Sequence, residues 1–245
     1  MKIDGRKMNQ DQFRNFVETF NFGSIPPTSL VIHHTWRPTQ KEWRGQASIE
    51  GLKSYYENVK KWPAGPHLFI AEDGIWLFTP MNEVGVHAGK ANATWEKFGK
   101  TYTGYLGWNE AKYLKTYSIG IEVVGDYDVE QWSGKTKSNA LAAIRILMDR
   151  LNVPTEEIYF HRDFSKKSCP GDAITKDWLF KQLSKRDAQG SRTSQNLSVL
   201  SKWAKDGWEW QLEHDMDRYV HPHEKVTAEW VFAILWKFWK LFIKK

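Results

Sequence analysis

Hydrophobic positions recur with helical spacing in several parts of the chain. In NQDQFRNFVETF, residues 9–20, one helical stripe carries four apolar side chains, Phe13, Phe16, Val17 and Phe20. The following FGSIPP ends that helix, because glycine and proline interrupt helical geometry. Further helices are predicted over residues 47–60, over KSNALAAIRILMDRL and over ITKDWLFKQLSK.

Short apolar runs between these helices predict strands. SLVIHHT, YSIGIEVVG and EEIYFHRD are runs of this kind, and HLFIAEDGIWLFTP divides into two of them at Asp73-Gly74, a dipeptide typical of hairpin turns. Strands and helices therefore alternate irregularly and include a hairpin. The sequence predicts an α/β fold with a mixed central β-sheet flanked by helices, without a regular doubly wound order.

A polar segment, RDAQGSRTSQN, separates this pattern from the C-terminal part of the chain. It contains almost no apolar residues, so we expect a first domain over residues 1–186 and a linker over 187–196. Residues 197–245 contain six of the fourteen tryptophans in two stripes of helical spacing. They predict a small helical module, too short to be an enzyme by itself.

Composition and charge narrow the class of protein. With 41% hydrophobic and 26% charged residues the chain is typical of globular proteins, and its net charge of +6 favours anionic partners. No basic run or stacked aromatic motif indicates nucleic acid, so none is expected as a partner. The N-terminus lacks the apolar run of a secretion signal, and lysines interrupt WVFAILWKFWKLFIKK, so we expect a soluble product of the cytoplasm.

Candidate chemistry centres on Cys169, the one cysteine, in HRDFSKKSCPG. It cannot form an internal disulfide, and with His161 eight residues earlier it suits a divalent metal if the loop turns back. SLVIHHT offers a third ligand, but alternation points His33 and His34 to opposite strand faces, so only one can enter a given pocket. Each of these residues taken singly is more typical of simple burial.

The strand YSIGIEVVG carries a candidate carboxylate. Alternation places Glu122 on the same face as Ser118 and Gly120, two small residues that leave open space beside it. Such a carboxylate can form the floor of a cleft. A strand glutamate that simply faces solvent is an equal alternative on this pattern alone.

Five motifs together resemble a known family: VIHHT, GPHLFIAEDG, VGVHAGKAN, YSIGIEVVG and HRDFSKKSCPG, in this order within residues 10–185. They are similar to the zinc-dependent N-acetylmuramoyl-L-alanine amidases of type 2, whose fold is shared by phage amidase endolysins and peptidoglycan recognition proteins. The resemblance implies a Zn2+ ion held by His33, His161 and Cys169, with water at the fourth position. His34 is then a partly buried strand histidine.

The resemblance implies roles for further residues. Glu122 is the acid/base, as in members with a GIE strand, and Lys167 of the K-x-C-P signature stabilises the oxyanion. Some members carry a catalytic Tyr just before the position of His67, where this chain has Pro66, and we expect Glu122 to take that role. Substrate contacts are expected from three residues, His67, His87 and Asn92.

The implied function is hydrolysis of the bond between N-acetylmuramic acid and L-alanine of the peptidoglycan stem, by a phage endolysin that acts on the bacterial wall after release from the host cytoplasm. One alternative is a peptidoglycan-binding recognition protein without hydrolysis, although non-catalytic relatives generally lose the cysteine that stands here at 169. Another is an intracellular regulator that binds a protein.

The C-terminal module partly resembles a surface-layer-homology repeat, which anchors proteins to wall polymers. It lacks the Arg that such repeats usually carry in the stretch corresponding to VTAE. The alternatives are a hairpin whose tryptophans form its own core or pack on the catalytic domain, and an amphipathic helix that binds an anionic membrane surface through its lysines. The sequence predicts no oligomeric state.

Overall fold

The computed structural model describes residues 1–105 and 114–185 of the chain. Met1–Lys185 forms one compact unit. The predicted linker over 187–196 and the predicted helical module over 197–245 lie outside the described residues. Within 1–105 and 114–185, no helix has both the length and the apolar character needed to cross a membrane.

A mixed β-sheet forms the centre of the fold. Four neighbouring strands run parallel in the order β3, β7, β2, β8, and β4 and β1 continue the sheet antiparallel beyond β3. A hairpin of β5 and β6 pairs with β7. The strands are β1 Lys7–Met8, β2 Ser29–His34, β3 Leu68–Ala71, β4 Gly74–Leu77, β5 Ala93–Lys97, β6 Lys100–Gly104, β7 Leu114–Val123 and β8 Ile158–Phe160.

Within residues 1–105 and 114–185, four α-helices flank the sheet, α1 Gln10–Thr19, α2 Gln46–Ser54, α3 Gly134–Leu151 and α4 Lys176–Ser184. Asn9 and Gln12 form a capping box that begins α1. Asn152 ends α3 in the left-handed conformation that asparagine tolerates at this position. The α/β fold with a mixed sheet and flanking helices is thereby confirmed.

The two faces of the sheet are covered differently. Leu30, Ile121 and their neighbours on one face pack with Phe13 of α1 and Ile144 of α3 in the larger core. The other face has a smaller core, in which α2 contributes Ile49. The remainder of that second face, near the carboxyl ends of the parallel strands, carries the polar side chains described below.

Several elements differ from the sequence prediction. The two-residue strand β1, Lys7–Met8, was not predicted. The helix predicted over residues 47–60 continues past α2 as a π-helical segment, Tyr55–Val59. The β5–β6 hairpin was not predicted. Its β6 strand is exposed along most of its length, so it lacks the alternation of apolar and polar residues that burial on one face produces.

Candidate metal and active site

The three predicted metal ligands meet at the carboxyl ends of β2 and β8. His33 lies near the end of β2 and His161 directly follows β8, its parallel neighbour. His33 Nδ1 is 3.1 Å from His161 Nδ1 and 3.7 Å from Cys169 Sγ. All three residues offer a donor atom within 4.8 Å of the others.

Arg162 holds the loop that carries Cys169. Its guanidinium donates to the carbonyls of Ser168 at 2.8 Å, Gly171 at 2.9 Å and Ile174, and its backbone N–H donates to the carbonyl of Cys169 at 2.9 Å. Gly171 has φ +106°, and a Cβ there would lie 2.3 Å from the backbone of Tyr127. The loop therefore turns back toward β2, as the metal hypothesis required.

The donor set fits a zinc ion. Burial lowers the pKa of His161 to about 4 and that of His33 well below its ordinary value, so both imidazoles are neutral near pH 7. Burial raises the pKa of the Cys169 thiol, and the backbone N–H of His34, 3.4 Å from Sγ, opposes that rise. Neutral imidazoles with a sulfur ligand are the mixed donor set that Zn2+ accepts.

A second group of donor atoms, from His34, Asp126 and Asp128, also lies within 4.8 Å. His34 Nδ1 accepts a hydrogen bond from the backbone N–H of Tyr127 at 3.2 Å. A neutral ring with Nδ1 as acceptor carries its proton on Nε2 and has no free lone pair for a metal. His34 is buried, with 8% of its surface exposed, where a partly buried strand histidine was expected.

Glu122 lies beside His33 on the neighbouring strand β7, in direct register. Its Oε1 is 3.9 Å from His33 Nδ1, and its Oε2 is buried without a hydrogen-bond partner. Burial raises the pKa of this carboxyl to about 8, and the charge of Lys167 opposes the rise. A carboxyl that changes protonation near neutral pH, with one oxygen unpaired, is suited to proton transfer.

Lys167 is an exposed residue of the loop between His161 and Cys169. Its positive charge lowers the pKa of Glu122 and contributes to the lowered pKa of His161. Both effects require the ammonium to lie near the group of metal donors. Lys167 therefore supplies an exposed positive charge that acts on both Glu122 and His161.

A family model of N-acetylmuramoyl-L-alanine amidases matches residues 23–172, more than half of the chain. The chain belongs to this amidase family. The matched range includes His33, Glu122, His161, Lys167 and Cys169. No curated protein sequence matches the chain.

Solved structures to which this chain is similar include Drosophila and Clostridium proteins. Wild-type Drosophila PGRP-LB has a TM-score of 0.48 at 20% identity, covering 69% of this chain and 86% of that chain. Amidase LysC from Clostridium intestinale URNW has a TM-score of 0.47 at 22% identity, covering 66% of this chain and 88% of that chain. A Drosophila PGRP-LB mutant in complex with tracheal cytotoxin has a TM-score of 0.49 at 19% identity, covering 69% of this chain and 87% of that chain.

The three predicted substrate contacts of the amidase are buried in this structure. His67 has no exposed surface; its Nδ1 accepts from Gly120 N–H at 2.9 Å and its Nε2 donates to the carbonyl of Glu83 at 2.9 Å. Asn92 is 2% exposed and its Oδ1 accepts two backbone hydrogen bonds. His87 is 8% exposed and contacts His33. In this structure the three side chains are therefore buried against the protein, and His87 contacts the predicted metal ligand His33.

Tyr56 lies near the site although sequence reasoning did not select it. It belongs to the π-helical segment, a local widening that is frequent at functional sites, and its ring stacks on Trp62. Burial raises the pKa of its phenol well above the ordinary value, and the charges of Glu122 and Cys169 add to the rise. No periodic signal could have found it, since the π-helical turn shifts the register that helical spacing assumes.

Proposed function

We propose that this amidase is zinc-dependent and hydrolyses bacterial peptidoglycan, cutting the amide bond between the lactyl group of N-acetylmuramic acid and L-alanine of the stem peptide. The observation that carries the proposal is the meeting of three metal donors beside a buried carboxyl with an unpaired oxygen. Family membership supports the choice of bond. The same site without hydrolysis would make a recognition protein, and the test below separates the two.

His33, His161 and Cys169 would hold the zinc ion. Zinc bound there lowers the pKa of a coordinated water to about 7 and polarises the carbonyl of the amide. Among the described residues this group offers three donors. Catalytic zinc sites keep three protein ligands, whereas structural sites are closed by four, so the donor count favours a catalytic site.

Glu122 would move the proton. Its carboxylate accepts a proton from the attacking water as the water oxygen bonds to the carbonyl carbon. It then delivers that proton to the amide nitrogen as the carbon–nitrogen bond breaks, which releases an amine and a carboxylic acid. The proton of the acid passes to the amine, so the final products are a carboxylate and an ammonium group. Glu122 Oε1 lies 3.9 Å from His33 Nδ1, so a dication held by His33 would lower the pKa of Glu122 and favour the ionised form that acts as the base.

Lys167 would stabilise the negative charge that develops on the carbonyl oxygen. An exposed ammonium on a loop can follow that oxygen as it changes from a carbonyl to a tetrahedral centre. Its electrostatic effect on Glu122 and His161 supports a location within reach of the reacting amide. Lys166, its exposed neighbour, provides a matched control.

The biological role we infer is that of a phage endolysin acting on the cell wall. A net positive charge favours the anionic bacterial wall, and the amidase activity would open it. Residues 197–245 would add a contact to a wall polymer or to an anionic membrane surface. That part of the proposal depends on the sequence alone.

Digestion of purified sacculi tests the proposed reaction. The zinc-loaded protein should release new amino groups with L-alanine at the free end and no new reducing sugars. Glu122→Gln, which keeps the size of the side chain but cannot accept the proton, should bind sacculi and release almost none. New reducing ends would indicate a glycosidase, and binding without any release by the unmodified protein would indicate a recognition protein; either result contradicts the proposal.

A further inference from the structure

A buried chain of hydrogen bonds leads away from the candidate metal site through His87. His33 Nε2 lies 3.1 Å from His87 Nδ1, and His87 Nε2 lies 3.4 Å from Ser118 Oγ. Ser118 Oγ donates to the carbonyl of Ala91 at 2.6 Å. The exposed fractions of His33, His87 and Ser118 are only 1%, 8% and 1%, so water does not compete for these bonds.

The hydrogen bond from Ser118 to Ala91 determines which atom donates and which accepts in each of the other hydrogen bonds of this series. The hydroxyl proton of Ser118 is used by the carbonyl, so Ser118 Oγ accepts from His87 Nε2. A neutral His87 then has its proton on Nε2, and its Nδ1 is an acceptor. His33 must therefore donate from Nε2, which leaves the lone pair of its Nδ1 free. Nδ1 is the atom that lies near His161 and Cys169.

We propose that His87 is a positioning residue that holds His33 as the Nε2–H tautomer and so presents the Nδ1 lone pair to the metal. The inference rests on the proposed zinc site, but it assigns His87 a role in metal binding in place of the substrate contact predicted from the sequence. Outer hydrogen-bond partners of metal-bound histidines orient the ring in this way and are usually carboxylates, carbonyls or water.

The surroundings of His87 keep its ring in place. The Oδ1 of Asn92 accepts the backbone N–H groups of His87 at 3.0 Å and of Ala88 at 2.7 Å, which fixes the turn that carries the ring. Across the ring lies Gly120, where a Cβ would be 2.5 Å from His87 Cγ. Only glycine at position 120 leaves room for the ring against β7, so the strand and the turn together determine where Nδ1 points.

A neutral imidazole also suits the charge of this region. His87 Nδ1 can accept from His33 only if the His87 ring is neutral, because both nitrogens of a charged imidazole are donors. A carboxylate in the same place would add a buried negative charge, at a desolvation cost. Histidine therefore gives His33 a directional hydrogen-bond acceptor without adding a charge to this region.

Zinc affinity of two matched variants tests the proposal. Asn has an acceptor oxygen on Cγ where His carries Nδ1, whereas Leu has the same branching and no acceptor. In competition with a chelator, His87→Leu should bind Zn2+ about 10–100-fold more weakly than the unmodified protein, and His87→Asn should retain most of the affinity. Ser118→Ala, which removes only the second link, should lose less than His87→Leu.

Equal zinc affinity of the Leu and Asn variants would contradict the proposal, and so would full affinity of both with a raised KM for sacculi, the result expected of a substrate contact. If His87→Leu fails to fold, nitrogen NMR of the unmodified zinc-bound protein decides. It should show protons on Nε2 of both His33 and His87; a proton on His87 Nδ1 would overturn the assignment. The zinc-affinity and NMR measurements use no substrate, so a protein that binds zinc as predicted but cuts no peptidoglycan contradicts only the proposed function.

Discussion

The two faces of the central sheet use the same strands for opposite purposes. On one face β2 and β7 contribute Leu30, Ile119 and Ile121, all without exposed surface and packed under α1 and α3. On the other face the same two strands contribute His33 and Glu122, which are also buried, with exposed fractions of 1% and 9%. Adjacent residues of one strand therefore enter a hydrocarbon core and a cluster of titratable groups.

Burial changes the free energy of folding differently on the two faces. Apolar side chains gain stability when they leave water, whereas titratable groups lose the hydration of their charged forms. The second face meets that cost by keeping its histidines neutral and by satisfying them with one another, with Ser118 and with backbone groups. Glu122 Oε2 has no such partner, which marks it as a group retained for chemistry.

The neighbours Ile121 and Glu122 offer the sharpest way to test this division. Glu122→Gln should reduce release of amino groups from sacculi by about 10²–10⁴-fold, the usual contribution of a general acid/base, with little change in the free energy of unfolding. Ile121→Ala should lower the free energy of unfolding by about 2–5 kcal/mol because it leaves a cavity in the larger core. Urea unfolding and sacculi digestion of both variants measure the two effects.

If the faces were not separate in function, the two variants would behave alike. A Glu122→Gln protein that is as active as the unmodified one would remove the carboxyl from the mechanism. An Ile121→Ala protein that is fully folded at the assay temperature yet has lost zinc and activity would show that the core face controls the site.

Lys167 and its neighbour Lys166 test whether a specific loop cation, and not loop charge in general, contributes to the reaction on the second face. Lys167→Ala should reduce the rate of hydrolysis by about 10²–10³-fold, as loss of an oxyanion-stabilising donor does, while zinc remains bound. Lys166→Ala should leave the rate nearly unchanged. Equal rate losses in the two variants would indicate that the lysines act through general attraction to the wall, and raising the salt concentration would then abolish the difference from the unmodified protein.

The buried histidines of the second face predict acid sensitivity of the metal-free protein. The pKa of His67 is about 4 in the folded protein, lowered from 6.5 by burial. Between these values the unfolded chain binds more protons, so the free energy of unfolding falls as pH falls from 6.5 toward 4. This one group contributes about 1.4 kcal/mol per pH unit, and above 6.5 its full contribution is present.

His67→Asn isolates that contribution, since its Oδ1 can still accept from Gly120 N–H but does not titrate. With a chelator present, urea unfolding between pH 4 and 7 should give a shallower pH dependence for the variant. Three other histidines, His33, His87 and His161, also make the free energy of unfolding fall with falling pH, and they are present in both the variant and the unmodified protein. An identical slope would mean that His67 is protonated in the folded protein as easily as in the unfolded chain.

Alternation along the strands made much of the fold and part of the site predictable from the sequence. It separated His33 from His34 and Glu122 from Ile121, and the structure has each pair on opposite faces. The turn at Asp73-Gly74 joins β3 to β4 as predicted. Local patterns suffice for such features because they depend on the direction of consecutive side chains within one strand.

The surroundings of His67 and His87 could not be predicted in the same way. Both lie outside regular elements, and their burial results from contacts with Gly120 and Ser118 of a strand that comes much later in the chain. The position of Tyr56 depends on a π-helical segment that spacing rules do not anticipate. In each case the deciding contact joins distant parts of the sequence, where no short-range pattern carries information.

Metal analysis of the purified protein tests the central claim most directly. After dialysis against Zn2+ and removal of excess metal, the unmodified protein should retain about one zinc per chain, the number that a single site with three protein ligands binds. Cys169→Ala and His161→Ala should retain almost none, whereas His34→Ala should retain it. Zinc bound equally by all four proteins, or by none, would contradict the account.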